Sequence, residues 1–173
     1  MDKKKIFLLI GIFWLIIIVG FVAIKEFTLQ IGEEVLLKSK PVDPRDLFRG
    51  DYVILTYEIS RLDINSLTTD TTNFNINDPV YVTLIKQDTY GIPSGIYKNQ
   101  PKEGLFIKGT VKDVRDSGIT IEYGIESYFV PEGKGGEIEG QRGRNLDVKV
   151  SIDNFGNAII KSLLIGGKEV SFD

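Results

Sequence analysis

Two hydrophobic patterns divide the chain. From Ile6 to Ile24 the residues carry no charge and are almost all apolar. A helix of that length, at about 1.5 Å per residue, crosses the hydrocarbon core of a bilayer. After residue 25, short segments alternate between apolar and polar positions, which is typical of strands with one buried face. We therefore predict a transmembrane helix at 6–24 and an all-β domain at 25–173, a small barrel or sandwich of about eight short strands.

The apolar segment is expected to stay in the protein as an uncleaved signal anchor. A cleavable signal peptide needs small residues at its cut site, whereas FVA and IVG place bulky residues three positions before it. Lys3, Lys4 and Lys5 precede the segment, so the positive-inside rule predicts a cytoplasmic tail at 1–5. We therefore expect a single-pass protein of the cell membrane, in contact with the lipid bilayer, whose C-terminal domain is extracytoplasmic.

The alternation also predicts where the strands lie. The predicted strands are 33–40, 51–59, 79–87, 105–114, 119–123, 146–152, 158–164 and 168–172. In the second of these strands, one face is assigned to the core and carries Val53, Leu55, Tyr57 and Ile59. Residues 61–78 are rich in Asn, Asp and Thr and are expected to be an exposed, mobile linker, and 88–103 are punctuated by Gly and Pro and are expected to be a connection between strands.

Composition narrows the chemistry. The chain has no Cys and no His, which excludes disulfides, thiolate chemistry and catalysis by imidazole. A net charge of -3 argues against nucleic acid as a partner, since nucleic-acid binders carry a basic surface. The carboxylates of 61–78 invite a calcium hypothesis, but their spacing does not follow the EF-hand loop. We predict no metal site, no cofactor and no catalytic residue.

The stretch PVDPRDLFRGDYVILTYEIS at 41–60 combines turn residues, charge and a strand signal. Gly50 tolerates the positive φ of a turn, and Asp51 can accept hydrogen bonds from that turn or from a nearby arginine. On this structural interpretation, Tyr57 points into the core with its hydroxyl satisfied. On the functional interpretation, the stretch forms a binding groove with the candidate residues Arg45, Asp46, Arg49, Gly50, Asp51, Tyr52 and Tyr57.

A second candidate for binding is the glycine-rich segment PEGKGGEIEGQRGRN at 131–145. Glu132, Lys134 and Glu139 belong to its charged residues, and charged groups on a glycine-rich segment can wrap around a partner. The alternative is that they form ordinary solvated surface.

Three stretches resemble one known family. Gly50–Tyr57 reads GDYVILTY and fits the GDYxxLxY signature of membrane-anchored bacterial proteins of uncharacterised function. Residues 128–135, YFVPEGKG, resemble the second landmark of that family, and 153–170 resemble its closing hairpins. The resemblance implies an N-terminal anchor, a β-rich outer domain and association with polytopic membrane proteins, but no reaction.

Three functions remain open. The first is non-covalent binding of another membrane or envelope protein. The second is an envelope hydrolase: the Gly-Asp turn is similar to that of type I signal peptidases, but Val42 stands where their nucleophilic Ser belongs. A shifted register could instead pair Ser39 with Lys98, Lys108 or Lys112, and two facing carboxylates would be another route. The third is a small-ligand carrier, which requires an open apolar cavity. Of these functions, we favour binding over catalysis.

Overall fold

A long N-terminal helix precedes the folded domain. The structure is a computed structural model that describes residues 3–39, 52–131 and 146–171. Helix α1 runs over Lys3–Ile31 and so extends the predicted span at both ends. Its apolar side chains between Phe7 and Val22 are largely exposed, and the helix is long and apolar enough to cross a membrane.

The rest of the described chain consists mostly of strands. The strands are β1 (Glu33–Lys38), β2 (Tyr52–Ile54), β3 (Arg61–Asp63), β4 (Thr68–Thr69), β5 (Pro79–Gln87), β6 (Tyr90–Tyr97), β7 (Leu105–Arg115), β8 (Gly118–Glu122), β9 (Ser127–Phe129), β10 (Leu146–Ile152), β11 (Ala158–Ile165) and β12 (Lys168–Glu169). The predicted all-β class is confirmed, although the described ranges hold more strands than the eight we expected.

Within the described ranges, ten strands form one mixed sheet. Its order is β12-β11-β10-β1-β6-β5-β7-β8-β3, with β4 pairing with β6, and β2 and β9 form a separate two-stranded ribbon. The two end strands, β12 and β3, do not pair with each other, so the sheet is not a closed barrel. The sandwich form of the prediction fits better. In the described part of the chain, one hydrophobic cluster contains both Leu163 of β11 and Ile119 of β8, so the sheet must curl around a shared core.

The alternation of apolar positions explains the core. Val35 and Leu37 of β1 are buried while Glu34 and Lys38 face outward, as the period of two residues requires. The core face predicted for 51–59 is confirmed, because Val53, Leu55, Tyr57 and Ile59 are all buried. Regular strand structure is shorter than expected there, since β2 ends at Ile54 and Glu58–Ser60 form a 3-10 turn.

The prediction that 61–78 and 88–103 are connections between strands is wrong in part. Residues 61–78 contain β3 and β4 and bury Leu62, Ile64 and Phe74. Their polar side chains misled the prediction because they hold the backbone in place: the Asp70 carboxylate accepts hydrogen bonds from the N–H groups of Lys98 and Asn99.

The second of these segments, 88–103, contains β6. Its glycines do not form turns. They allow neighbouring strands to pack closely against β6. A Cβ on Gly95 would lie 2.5 Å from the Thr68 hydroxyl oxygen, and a Cβ on Gly91 would lie 2.8 Å from a methyl carbon of Val35. Glycine is therefore required at both positions, because neighbouring strands lie too close to β6 for a side chain there.

The helix is bonded directly to the sheet. Thr28, in the last turn of α1, is 2% exposed, and its carbonyl accepts hydrogen bonds from the Ser151 hydroxyl at 2.6 Å and the Gly32 N–H at 3.0 Å. The Thr28 hydroxyl donates to a carboxylate oxygen of Asp153 at 2.9 Å. Since β1 begins one residue after Gly32, the helix end and the end of β10 form one continuous junction.

We predict that Gly32→Ala weakens this junction. The added Cβ would lie 2.3 Å from the Ser151 hydroxyl oxygen and 2.5 Å from the Thr28 carbonyl oxygen, so these groups must separate. Overpacking of this kind typically costs about 1–3 kcal/mol. The measurement is chemical unfolding of the full chain in detergent. Gly20→Ala is the matched control, because nothing lies within 4 Å of its Cβ. Equal stability of the two variants would contradict the prediction.

Candidate functional site

The ribbon of β2 and β9 joins two of the three stretches that carry the family resemblance, the GDYxxLxY signature and the second landmark. Its antiparallel register pairs Tyr52 with Phe129, Val53 with Tyr128, and Ile54 with Ser127. Tyr52, the first residue of β2, and Phe129, the last residue of β9, therefore lie at the same end of the ribbon. Sequence alone placed these stretches far apart, and the fold makes them one element.

The two faces of the ribbon differ. Val53 lies in the core, and Val130, the residue after β9, is buried as well. Phe129 is 70% exposed on the same ribbon. A two-stranded ribbon is marginal by itself, so its buried residues must hold it against the domain. The result is a supported ribbon that presents a large aromatic side chain to its surroundings.

Two buried tyrosines hold the region behind the ribbon together. The Tyr57 hydroxyl donates to the carbonyl oxygen of Ile125 at 2.5 Å. In return, the Tyr123 hydroxyl donates to the carbonyl oxygen of Ile59 at 2.6 Å. Each tyrosine thus bonds the segment from which the other projects. We call this reciprocal arrangement, formed by Tyr57 and Tyr123, the tyrosine brace.

The environment of the brace keeps both phenols protonated. Burial raises the pKa of Tyr57 well above its usual range, and the negative charge of Glu126 acts in the same direction. The same two causes raise the pKa of Tyr123. Both hydroxyls are therefore permanent donors at neutral pH, which suits a structural role and not proton transfer.

Glu126 closes the turn between β8 and β9, a role that sequence reasoning missed. Its carboxylate accepts hydrogen bonds from the N–H groups of Tyr123 at 2.6 Å and Gly124 at 2.8 Å. Its carbonyl accepts from the N–H of Leu55 at 2.8 Å, which links the turn to the chain after β2. The available signal was a glycine two residues before a carboxylate, and Gly124 does have φ of 80°.

A groove of about 360 Å³ lies beside the 3-10 turn that follows the motif. Its charged lining comes from Lys38, Glu58, Arg61 and Asp63. At one side, the Lys38 ammonium lies 5.1 Å from the centre of the Tyr90 ring. With charges of both signs around it, the groove has no clear preference for an anion or a cation.

A buried carboxylate lies close to this lysine. Asp147 pairs with Lys38 across β1 and β10, and one of its carboxylate oxygens accepts a hydrogen bond from the Tyr90 hydroxyl at 2.7 Å. This bond, together with burial, raises the pKa of Tyr90. Sequence reasoning did not single out Asp147 or Tyr90, because nothing in a linear pattern shows that β6 and β10 flank β1.

Most of the predicted binding residues lie outside the described residues. These are Arg45, Asp46, Arg49, Gly50, Asp51, Glu132, Lys134 and Glu139. Tyr52 is described through its backbone, which pairs with Phe129. Tyr57 corrects the binding hypothesis at its own position, because its side chain is fully buried and bonded to Ile125. The structural interpretation of Tyr57 is the one that fits.

Three of the residues named for a hydrolase, Ser39, Lys98 and Lys112, have other partners among the described residues. The Ser39 hydroxyl donates to the carbonyl oxygen of Leu146 at 2.5 Å. Lys98 forms an ion pair with Asp78, and Lys112 forms one with Glu122. Among the described residues, no group of three or more carboxylates is arranged to hold a metal ion.

The carrier hypothesis required an open apolar cavity. In the described part of the chain, the interior of the β domain is occupied by one cluster of packed side chains. The grooves found on the β domain are mixed in polarity or mainly polar. This arrangement lends the carrier hypothesis no support.

Fold and site together define a class of protein: a curled β-sheet domain joined without a linker to one apolar helix, with a braced aromatic ribbon. The family model described as "GDYXXLXY protein" matches residues 14–163, and the chain belongs to this family. Comparison with curated proteins and with solved structures found no match.

We predict that Tyr57→Phe and Tyr123→Phe each destabilise the fold by about 1–3 kcal/mol, because each leaves a buried carbonyl oxygen without its donor while keeping the ring. The measurement is the free energy of unfolding of the full chain in detergent. Tyr81→Phe is the control, since its hydroxyl makes no hydrogen bond with the described residues and its ring packs on Phe106. A loss of stability for Tyr81→Phe as large as for the other two would contradict a specific brace.

Proposed function

We propose that this protein is a single-pass, membrane-anchored extracytoplasmic domain that binds another membrane or envelope protein through non-covalent contacts. The observation that carries the proposal is Phe129, which is 70% exposed on the ribbon that joins the two family landmarks. Aromatic side chains are enriched at the centres of protein interfaces, where they supply most of the binding energy.

The support behind the ribbon favours recognition. The tyrosine brace and the Glu126 turn fix the backbone on both sides of the ribbon before any partner arrives. A surface that is already ordered loses less conformational entropy on binding. Phe129 is therefore presented by a rigid element, as a residue that anchors an interface needs to be.

An N-terminal membrane anchor favours a partner in the same envelope. An anchored domain meets other membrane proteins at a high effective concentration, so a modest interface is sufficient for stable association. The resemblance to a family whose members associate with polytopic membrane proteins points to the same class of partner. The hydrolase hypothesis has weaker support, because Ser39 donates to a backbone carbonyl and two of the three candidate lysines, Lys98 and Lys112, are in ion pairs elsewhere.

The first test concerns orientation. The chain has no native Cys, so one introduced thiol reports its own side of the membrane. Lys102→Cys lies on an exposed part of the β domain, and Asp2→Cys lies before α1. We expect a membrane-impermeant maleimide to label Lys102→Cys on intact cells and Asp2→Cys only after lysis, because of the lysines that precede the span. The reverse pattern would overturn the extracytoplasmic placement.

The second test concerns the partner. A photoreactive phenylalanine analogue at position 129 is expected to form a discrete crosslinked species with another membrane or envelope protein in the native membrane, since this side chain faces outward. The same analogue at Ile76 is the matched control, because Ile76 is 59% exposed and lies outside the ribbon. The measurement is the mass and identity of the adducts. Identical adducts from both positions, or none from 129, would count against the ribbon as the binding surface.

A further inference from the structure

The turn between β10 and β11, residues 153–157, lies beside the last turn of the helix. Ile152 pairs with Glu33, so both β10 and the start of β1 reach the same edge of the sheet. The turn continues past that edge, and its Asp153 accepts a hydrogen bond from the Thr28 hydroxyl. Thr28 lies one helical turn before Gly32, so Asp153, the first residue of the turn, lies beside the last turn of the helix.

The turn is rigidly built. The Asp153 carboxylate accepts hydrogen bonds from the N–H groups of Phe155 and Asn157 and from the Asn157 side-chain amide, each at 2.9 Å. Burial acts to raise the pKa of Asp153, but these bonds and the one from Thr28 hold it below the usual value. The Gly156 carbonyl accepts from the Lys108 N–H at 2.8 Å, which fixes the turn to β7.

An aromatic side chain at the tip of this ordered turn is left without cover. Phe155 is 67% exposed, although Asp153 before it and Gly156 after it are bonded in place. On the neighbouring helix, Phe27 and Ile31 are also exposed, and both lie beyond the apolar segment that ends at Ile24. Large apolar side chains therefore surround the junction on the helix and on the turn.

The length of the helix indicates the depth at which these side chains lie in a bilayer. Helix α1 has 29 residues and is about 44 Å long, which matches the roughly 40–45 Å of a bilayer with its headgroups. If 6–24 cross the hydrocarbon core, Thr28 lies about 6 Å beyond it, inside a headgroup layer that is about 5–8 Å thick on each side. Thr28, and with it the turn 153–157, then lie within that layer.

We infer that the turn 153–157 is a second membrane contact, with Phe155 inserted at the boundary between the headgroups and the acyl chains of the lipid bilayer. This inference rests on the proposed membrane span. Aromatic residues favour this depth, and burial there of a side chain that is otherwise exposed stabilises the docked orientation. Phe27 and Ile31 contribute apolar surface at the same level.

The contact would set the height of the recognition surface. β1 runs from Glu33 at the junction to Lys38, and the next residue, Ser39, bridges to Tyr57 at the far end. Six strand residues span about 20 Å. A helix and a turn that both enter the lipid would prevent the domain from tilting, so the motif region is held at a fixed distance of this order above the bilayer.

The test uses depth-dependent quenching of tryptophan fluorescence. Trp14 is the one Trp of the chain and lies near the middle of the apolar segment. In a Trp14→Phe background, Phe155→Trp is compared with Ile76→Trp. Ile76 is exposed and lies three residues before β5, whose other end carries Lys86 in its ion pair with Glu33. The full-length variants are reconstituted into phosphatidylcholine vesicles whose lipids carry bromine either near the headgroup or near the chain end.

We expect Phe155→Trp to emit at shorter wavelength than Ile76→Trp and to be quenched at least about twofold more by bromine near the headgroup than by bromine near the chain end. Ile76→Trp should be quenched by neither. The exchange of one exposed aromatic residue for another keeps the fold, and chemical unfolding of each variant checks this.

Trp14 of the unmodified chain separates the two proposals. Quenching of Trp14 by chain-end bromine, without quenching of Phe155→Trp, would overturn the turn contact and leave the span standing. Absence of quenching at both positions would overturn both. A short emission wavelength for Phe155→Trp without bromine quenching, growing with protein concentration, would mean that Phe155 contacts a second copy of the chain, and this would also overturn the lipid contact.

Discussion

The junction at Thr28 is the constraint on which the rest of the structure depends. A helix whose apolar surface has no cover in the described structure and a sheet with a packed core have opposite solvent requirements, and they meet within one helical turn. Three residues form this junction. The Ser151 hydroxyl donates to the Thr28 carbonyl, and Gly32, which has no side chain, lets the end of the helix lie against β10. Because β1 starts there and lies inside the sheet, the position of the helix is coupled to the whole domain.

The tyrosine brace acts at the opposite end of β1. Each phenol donates to a backbone carbonyl of the other segment, so the chain around Tyr57 is bonded to the segment that leads into the second family landmark. The final tyrosine of the motif is therefore a packing residue whose hydroxyl fixes a neighbouring turn. In the proposed function, recognition belongs to the exposed side of the ribbon, where Phe129 lies, while the buried side stabilises the domain.

Much of the fold could be predicted from local pattern. The bounds of β5 and β10 agree with the prediction to the residue, and the Gly166–Gly167 turn has the positive φ values that such a turn needs. The errors occurred at residues that bond to, or make room for, the backbone of a distant segment. Asp70 looks like a loop residue but anchors Lys98 and Asn99, and the glycines of β6 look like turn residues but allow strands to approach. Composition cannot separate these uses, because they depend on distant neighbours.

The amino-acid sequence by itself determined the apolar helix, the all-β class, the core face of the motif strand and the family, since each of these depends on periodicity or on a contiguous signature. Only the tertiary structure decided that the sheet stays open, that the two landmarks pair as one ribbon, and that the helix ends against the turn at 153–157. Those features arise from contacts between residues far apart in the chain, such as Thr28 with Asp153 and Tyr57 with Ile125, and a linear pattern carries no record of which distant segments meet.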